Sequence, residues 1–451
     1  MFIQRARSLR SLTALACALL LPTAACNTEA GSGSGDVSDD EDTAAGPAEF
    51  VAPEQHASDW AAPAVDLPDA PRPYGPSPEP TADQAFYDLT TLDPAAVAEA
   101  EPGTVLRSEE VEMTGPLAGA SGWRVLYRST NAEGEPAVVS GMILEPDGAA
   151  PERGWPVVAW AHGTTGVADR CAPSATGNLM YDDYGQVGRD LLDQGFVVAA
   201  TDYHGLGTPG LHSYHRSEEM ARATIDSVRA AHGFKELGSL AAQWLTIGHS
   251  EGGLAALATD ERLELAPEEL DYRGAVVAAP SADMGSFTPA MFSVPGRGYG
   301  VLFLAAAATV EPRLDPSVAL GPQAAERQAL YTHGCWEEAV PGFDDVDPED
   351  MLASPEITGL LTEVLNDYAG YDPSQASGPL MVVHGALDES LPVQLTQNLV
   401  EDICAQDVHV LFRIYPGAGH DAVLGASSAD TASWLADRLA EEPPESNCGA
   451  G

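Results

Sequence analysis

Three residues of this chain have the types and surroundings that nucleophilic catalysis needs. Ser250 lies in Gly248-His249-Ser250-Glu251-Gly252, after the apolar run Trp244-Leu245-Thr246-Ile247 and before Leu254-Ala255-Ala256-Leu257. That pattern predicts a strand, a sharp turn and a helix, with the serine held in a strained backbone conformation at the turn. Glycine is needed two positions to either side, because side chains there would collide with strand and helix. A serine hydroxyl is a weak nucleophile until a base takes its proton, and the base needs a carboxylate to orient it. Asp388 ends the buried-type run Pro379-Leu380-Met381-Val382-Val383-His384-Gly385-Ala386-Leu387, and His420 follows the strand-like run Val408 to Tyr415 in Pro416-Gly417-Ala418-Gly419-His420. Both fall in loops just past strands, where open α/β sheets carry their sites, and the order Ser, Asp, His is the one a serine at such a turn requires. The neighbouring carboxylates Glu389 and Asp421 are read as solvated loop residues.

A tetrahedral intermediate also needs two backbone N–H donors. Trp155 to Ala161 reads as a central strand, the third, and His162-Gly163-Thr164-Thr165-Gly166 follows it as a loop of small residues. One donor is expected from Glu251, directly after the serine, and the other from Thr164, with Thr165 as the competing choice. His162 precedes the turn and is read as a structural hydrogen-bonder of its loop.

The elements that must position these groups are legible as alternating patterns. Strand-like segments at Trp123 to Tyr127, Val138 to Leu144, Phe196 to Ala200 and Gly274 to Ala278 interleave with helical stretches such as Ser217 to Ala231. This predicts an α/β fold with a mostly parallel sheet and helices on both faces. Core sequence is expected over 81–283 and 373–451. Residues 284–372, after the sixth expected strand, exceed what a crossover needs and carry Phe287, Met291, Phe292 and Val301 to Leu304, with an Ala-rich helix expected from Ala305 to Thr309. They read as a cap that contributes an acyl pocket. There is no internal repeat, no nucleotide-binding glycine signature and no metal-ligand constellation, so neither cofactor nor metal is expected.

The loop His162 to Gly166 with Cys171-Ala172-Pro173-Ser174, the stretch Thr201-Asp202-Tyr203-His204-Gly205-Leu206-Gly207-Thr208-Pro209-Gly210, the serine turn and the Asp388 and His420 loops together resemble the secretory lipase family typified by fungal lipase A. That family is a branch of the α/β-hydrolases, and the resemblance runs from about Phe86 to Cys448. It implies the α/β-hydrolase fold and ester hydrolysis, of triacylglycerols or of smaller esters. It also implies disulfides Cys171 to Cys335 and Cys404 to Cys448, one of three pairings that the even set of four cysteines allows. Glu251 stands where the family commonly has glutamine. A backbone donor survives that change, but a carboxylate near an oxyanion is unfavourable unless it is turned away.

Arg5, Arg7 and Arg10 precede the apolar stretch Leu12 to Leu21, which is too short for a comfortable membrane span, and small residues follow. Residues 1–25 read as a bacterial-type signal peptide. Thr23-Ala24-Ala25-Cys26 resembles a lipoprotein processing site with Cys26 lipidated, although Thr23 replaces the usual leucine and ordinary cleavage stays open. Residues 26–80 read as an acidic tether rich in Gly, Ser and Pro. The chain is therefore expected outside the cell, either anchored at its surface or secreted.

With 68 acidic and 21 basic residues, a formal charge of -47 and Lys235 as the only lysine, nucleic acid and anionic membrane patches are excluded as partners. The expected partners are an ester or lipid substrate and, through the anchor, a membrane; a monomer is expected. Two other readings stay open at this stage: an acyltransferase or polymeric-ester hydrolase on the same fold, and a catalytically silent lipoprotein that binds apolar ligands. The acidic surface yields a first prediction. For a chain beginning near Ala48, the melting temperature should rise with sodium chloride from dilute buffer, where the Debye length is about 30 Å, to about 1 M, where it is about 3 Å. A flat or falling series would show that the carboxylates are dispersed or paired with arginines.

Overall fold

The apolar runs become nine strands of one sheet in the computed structural model, which describes residues 84–449. The expected signal peptide, Cys26 and tether lie outside the described residues. The strands are β1 Val105–Glu110, β2 Ser121–Thr130, β3 Pro136–Glu145, β4 Trp155–Ala161, β5 Val197–Thr201, β6 Leu240–His249, β7 Asp271–Ala278, β8 Leu380–Gly385 and β9 Val410–Tyr415. Their order in the sheet is β1-β2-β3-β5-β4-β6-β7-β8-β9. From β5 to β9 all neighbours are parallel, and β1, β2 and β3 join by antiparallel pairing.

The chain enters the sheet one strand earlier than its apolar pattern indicates, because β1 is a polar edge strand, half of it exposed, without the apolar alternation that marks a strand. The segment expected as the third strand is therefore β4, and the long insertion follows β7. The helix expected from Ala305 to Thr309 runs instead over Gly298–Ala307. Gly298 and Gly300 look like helix breakers but are packing residues: a Cβ on Gly298 would lie 2.1 Å from the Ala339 carbonyl oxygen, and one on Gly300 would lie 2.3 Å from the Phe292 ring.

Successive residues of β4 feed opposite layers, as a strand buried on both faces requires. Val157 and Ala159 join one core, with Ile225 and Val228 of helix α2 (Ser217–Gly233) and Leu254 of helix α3 (Glu251–Glu261). Val158 and Trp160 join the other, with Leu191 of helix α1 (Asp182–Asp193) and Trp434 of the C-terminal helix Ala422–Leu439. The insertion between β7 and β8 contains helices α4 (Met284–Met291), α5 (Gly298–Ala307) and α6 (Glu356–Tyr368). Its Phe303, Leu361 and Leu365 belong to the first of those cores.

Covalent links fix the two regions that flank the sheet. Cys171 is bonded to Cys335, joining the loop after β4 to the insertion. Beside it, the Trp336 amide donates to the Thr165 carbonyl at 2.8 Å. Cys404 is bonded to Cys448 at the C-terminal tail. There Asn447 covers the open edge of β9, donating from its backbone to the Val410 carbonyl at 3.0 Å and accepting from the Phe412 amide at 2.9 Å. A paired edge is protected from joining other chains. Replacing Cys171 and Cys335 together by serine should lower unfolding stability by about 2–5 kcal/mol in urea denaturation; no change in midpoint would show that the bond constrains neither state.

Candidate active site

Ser250 is the single residue between β6 and α3, at φ +56° and ψ -116°. A non-glycine residue there stores about 1–3 kcal/mol of strain, which the surroundings enforce. A Cβ on Gly248 would lie 1.8 Å from the Gly252 carbonyl oxygen, and one on Gly252 would lie 1.9 Å from the Ala161 carbonyl oxygen at the end of β4. The Ser250 amide donates to Ala278 at 2.9 Å, and its carbonyl accepts from Gly253 at 2.9 Å and Ser281 at 3.2 Å. The serine therefore sits at the N-terminus of α3, with Glu251 N–H first among the donors that an α-helix leaves unpaired. That end of the helix favours negative charge.

Asp388 and His420, far apart in sequence, meet with His420 Nδ1 at 2.7 Å from Asp388 Oδ2. The Asp388 carboxylate is saturated: its Oδ1 accepts from the amides of Ser390 at 2.8 Å and Leu391 at 2.7 Å, and its Oδ2 also faces His384 Nε2 at 3.1 Å. Burial works against its charge, yet the His420 charge and the bonds from both histidines hold its pKa well below the ordinary carboxylate range. Burial likewise opposes a charge on His420, and the Asp388 charge and hydrogen bond, aided by Asp421 and Glu389, overcome it and raise its pKa to about 9.

His384, His249 and Glu389 support this pair, and the sequence reading assigned none of them a role. His384 Nε2 stands 3.1 Å from both Asp388 Oδ2 and the Leu391 carbonyl oxygen, so it must carry a proton, and its Nδ1 then accepts from the Thr396 hydroxyl at 2.9 Å. A histidine inside an otherwise apolar, fully buried strand was the signal available for it. His249 donates from Nε2 to the His420 carbonyl at 3.0 Å, and the two rings lie 4.8 Å apart. Glu389 is exposed but not merely solvated, because its carboxylate accepts from the His420 amide at 3.1 Å. Asp421 lies 3.9 Å from His249 Nε2. His249, His420 and Asp421 bring potential metal-ligand atoms within 4.8 Å of one another. The proton that His249 Nε2 donates to a carbonyl leaves that nitrogen no lone pair for a cation, and His249 Nδ1 is paired with the Tyr184 hydroxyl at 3.2 Å.

The loop after β4 is held from beneath. His162 is buried, its Nδ1 at 2.7 Å from the Gly163 carbonyl oxygen, and the Tyr203 hydroxyl donates to the His162 carbonyl at 2.9 Å. Thr164 lines the same cavity as Ser250 and pairs its hydroxyl with Tyr214 at 3.0 Å, whereas Thr165 is fully buried and its carbonyl is taken by Trp336. The Glu251 side chain is fully buried, with Oε1 3.3 Å from His212 Nε2, within ion-pair reach but not aligned as a hydrogen bond. Burial opposes its ionisation, but the adjacent His212 holds its pKa below the ordinary value. Ser250, Thr164 and residues of the insertion, among them Met284, Phe287 and Phe303, line one narrow pocket that is partly open to solvent. Chemically, the arrangement offers a hydroxyl at a helix N-terminus, an imidazole oriented by an ionised carboxylate and an apolar chamber beside them.

Sequence and structure comparisons agree with this architecture. The secretory lipase family profile matches residues 183–447. The chain is 26% identical over 410 residues to lipase A of Arthroderma benhamiae, covering 82% of each chain. It is 27% identical over 387 residues to a protein of Mycobacterium tuberculosis named probable inactive lipase, covering 80% of this chain and 83% of that one. The closed-state crystal structure of Candida antarctica lipase A superimposes with a TM-score of 0.68 at 19% identity, over 82% of this chain and 89% of that one. A rice cell wall degrading esterase from Xanthomonas oryzae gives 0.61 at 18% identity, over 76% of this chain and 99% of that one.

The electrostatics of the pair are testable without any substrate. In ¹⁵N NMR titrations the His420 imidazole should lose its proton well above pH 6.5. Asp388→Asn should lower the pKa markedly, because the largest raising influence is removed and burial is then opposed only by the weaker charges of Asp421 and Glu389. A His420 that titrates alike in both proteins would show that the carboxylate does not govern it.

Proposed function

This chain belongs to the secretory lipase family, and we propose that it is an exported carboxylic ester hydrolase working through a covalent acyl-enzyme on Ser250. The observation that carries this reading is the 2.7 Å bond between His420 and an ionised, fully hydrogen-bonded Asp388, in a site where Ser250 opens on an apolar cavity. Ser250 Oγ attacks the ester carbonyl carbon while His420 Nε2 takes its proton. The N–H groups of Glu251 and Thr164 hold the oxygen of the tetrahedral intermediate, and Asp388 stabilises the imidazolium. The intermediate collapses as His420 returns the proton to the leaving alcohol. Water then repeats the attack and releases the acid.

The pairing of Glu251 with His212 supports the oxyanion assignment, since that carboxylate is occupied elsewhere. The segment over 284–372 acts as a cap, because its apolar side chains wall the cavity over Ser250. Two disulfides fit an oxidising compartment, and with the leader and Cys26 they support an exported enzyme, at the cell surface if Cys26 is lipidated. The Mycobacterium tuberculosis relative is named inactive, so the test is kinetic. Ser250→Ala and His420→Ala should each lower kcat on p-nitrophenyl esters by about 10⁴ or more, and the double variant should cost little further. The wild-type kcat/KM should rise with pH through a midpoint on the alkaline side of 6.5, since the base acts only once deprotonated and its pKa is raised. Ser250→Ala retaining most activity would refute the assignment.

A further inference from the structure

The cavity beside Ser250 is walled mainly by apolar side chains, Met284, Phe287, Met291, Phe303 and Leu391. Two polar groups interrupt that wall. His215 and Ser281 line the same cavity and are joined Nε2 to Oγ at 2.6 Å. An alkyl chain makes no use of either, and keeping an imidazole and a hydroxyl buried beside one costs free energy that an apolar pair would avoid. Neither residue has a part in the Ser250, His420, Asp388 mechanism.

Both are fixed in place. His215 has φ +60°, uncommon outside glycine, and its ring packs against Tyr214 at 4.2 Å and Phe303 at 4.6 Å between centroids. The Ser281 amide donates to the Ser250 carbonyl at 3.2 Å, which ties that hydroxyl to the immediate neighbourhood of the reacting serine. Burial lowers the His215 pKa to about 4, so the ring is neutral. Its Nδ1 is buried and has no hydrogen-bond partner. A bare lone pair there is tolerated better than an orphaned N–H, so the proton belongs on Nε2, where it is donated to Ser281 Oγ. The Ser281 hydroxyl proton is then left without a protein acceptor, beside the cavity.

We propose that His215 and Ser281 form a polar subsite for an oxygen atom on the acyl chain, so that the preferred substrates are esters of acids bearing a hydroxyl or carbonyl oxygen close to the ester carbonyl. This rests on Ser250 being the nucleophile, as proposed above. The oxygen accepts from the Ser281 hydroxyl, while His215 holds that hydroxyl in its donating orientation and the apolar wall takes the carbon chain. Ser281 is thus a specificity residue and His215 its positioning residue.

The test compares kcat/KM for p-nitrophenyl butanoate with that for each enantiomer of p-nitrophenyl 3-hydroxybutanoate, using the full chain. The wild type should favour one hydroxylated enantiomer by about tenfold, the discrimination that one buried hydrogen bond supplies. Ser281→Ala should bring that ratio close to one, and Ser281→Thr, which keeps the hydroxyl, should retain most of it; melting temperatures of the variants are read alongside. A wild type that favours plain butanoate, or a ratio unchanged by Ser281→Ala, overturns the subsite and leaves hydrolysis at Ser250 standing. Turnover of none of these esters overturns the hydrolase reading and the subsite with it.

Discussion

The contact on which the site depends is the one between α3 and the end of β4. Gly252 lets the helix approach so closely that a single methyl group would fall 1.9 Å from the Ala161 carbonyl oxygen. That approach holds Ser250 at positive φ at the tip of β6 and brings the first N–H of the helix toward the loop that continues β4. The proposed nucleophile and the Glu251 donor are therefore positioned by one steric constraint, while the Thr164 loop is held separately by His162, Tyr203 and Tyr214. The strain at Ser250 is small beside the free energy of the two cores that clamp the turn, which is how a well-packed fold can hold an unfavourable backbone conformation.

A second constraint is polar. The site buries the side chains of Asp388, His384, His249, His420, Glu251 and His212 within an otherwise apolar interior. An isolated charge there would cost several kcal/mol, so each carboxylate must be matched. Asp388 meets this with four donors, which also fix its geometry, and His420 is held both through its ring and through its backbone amide and carbonyl. Glu251 is matched less completely, by His212 alone at ion-pair range. Its side chain is engaged behind the loop, which reconciles an acidic residue beside the serine with a site built to stabilise negative charge.

The parts of this arrangement that the sequence discloses are those set by local rules. The serine turn was legible because Gly248 and Gly252 are steric necessities at fixed spacing, and the strands that precede Asp388 and His420 because β8, buried on both faces, is a nearly continuous apolar run and β9 is interrupted only by Arg413. Edge strand β1 was not legible, since Val105–Glu110 is paired on one side only and carries little apolar signal. The helix Gly298–Ala307 was misplaced because propensity treats glycine as a breaker, whereas here close packing against Val340 and Phe292 demands it. His384, Glu389 and the partnership of His212 with Glu251 depend on loops folding back over the strand ends. Such contacts are set by tertiary structure, and no local pattern announces them.

The central claim, that Ser250 is the activated nucleophile of an acyl-transfer site, is tested most directly by reacting the folded protein with a fluorophosphonate and mapping the adduct by mass spectrometry. This account predicts one phosphonyl group per chain, on the peptide containing Ser250, with labelling abolished in His420→Ala. A stable, folded protein that takes up no label, or takes it up at Ser281 or another residue, would contradict it.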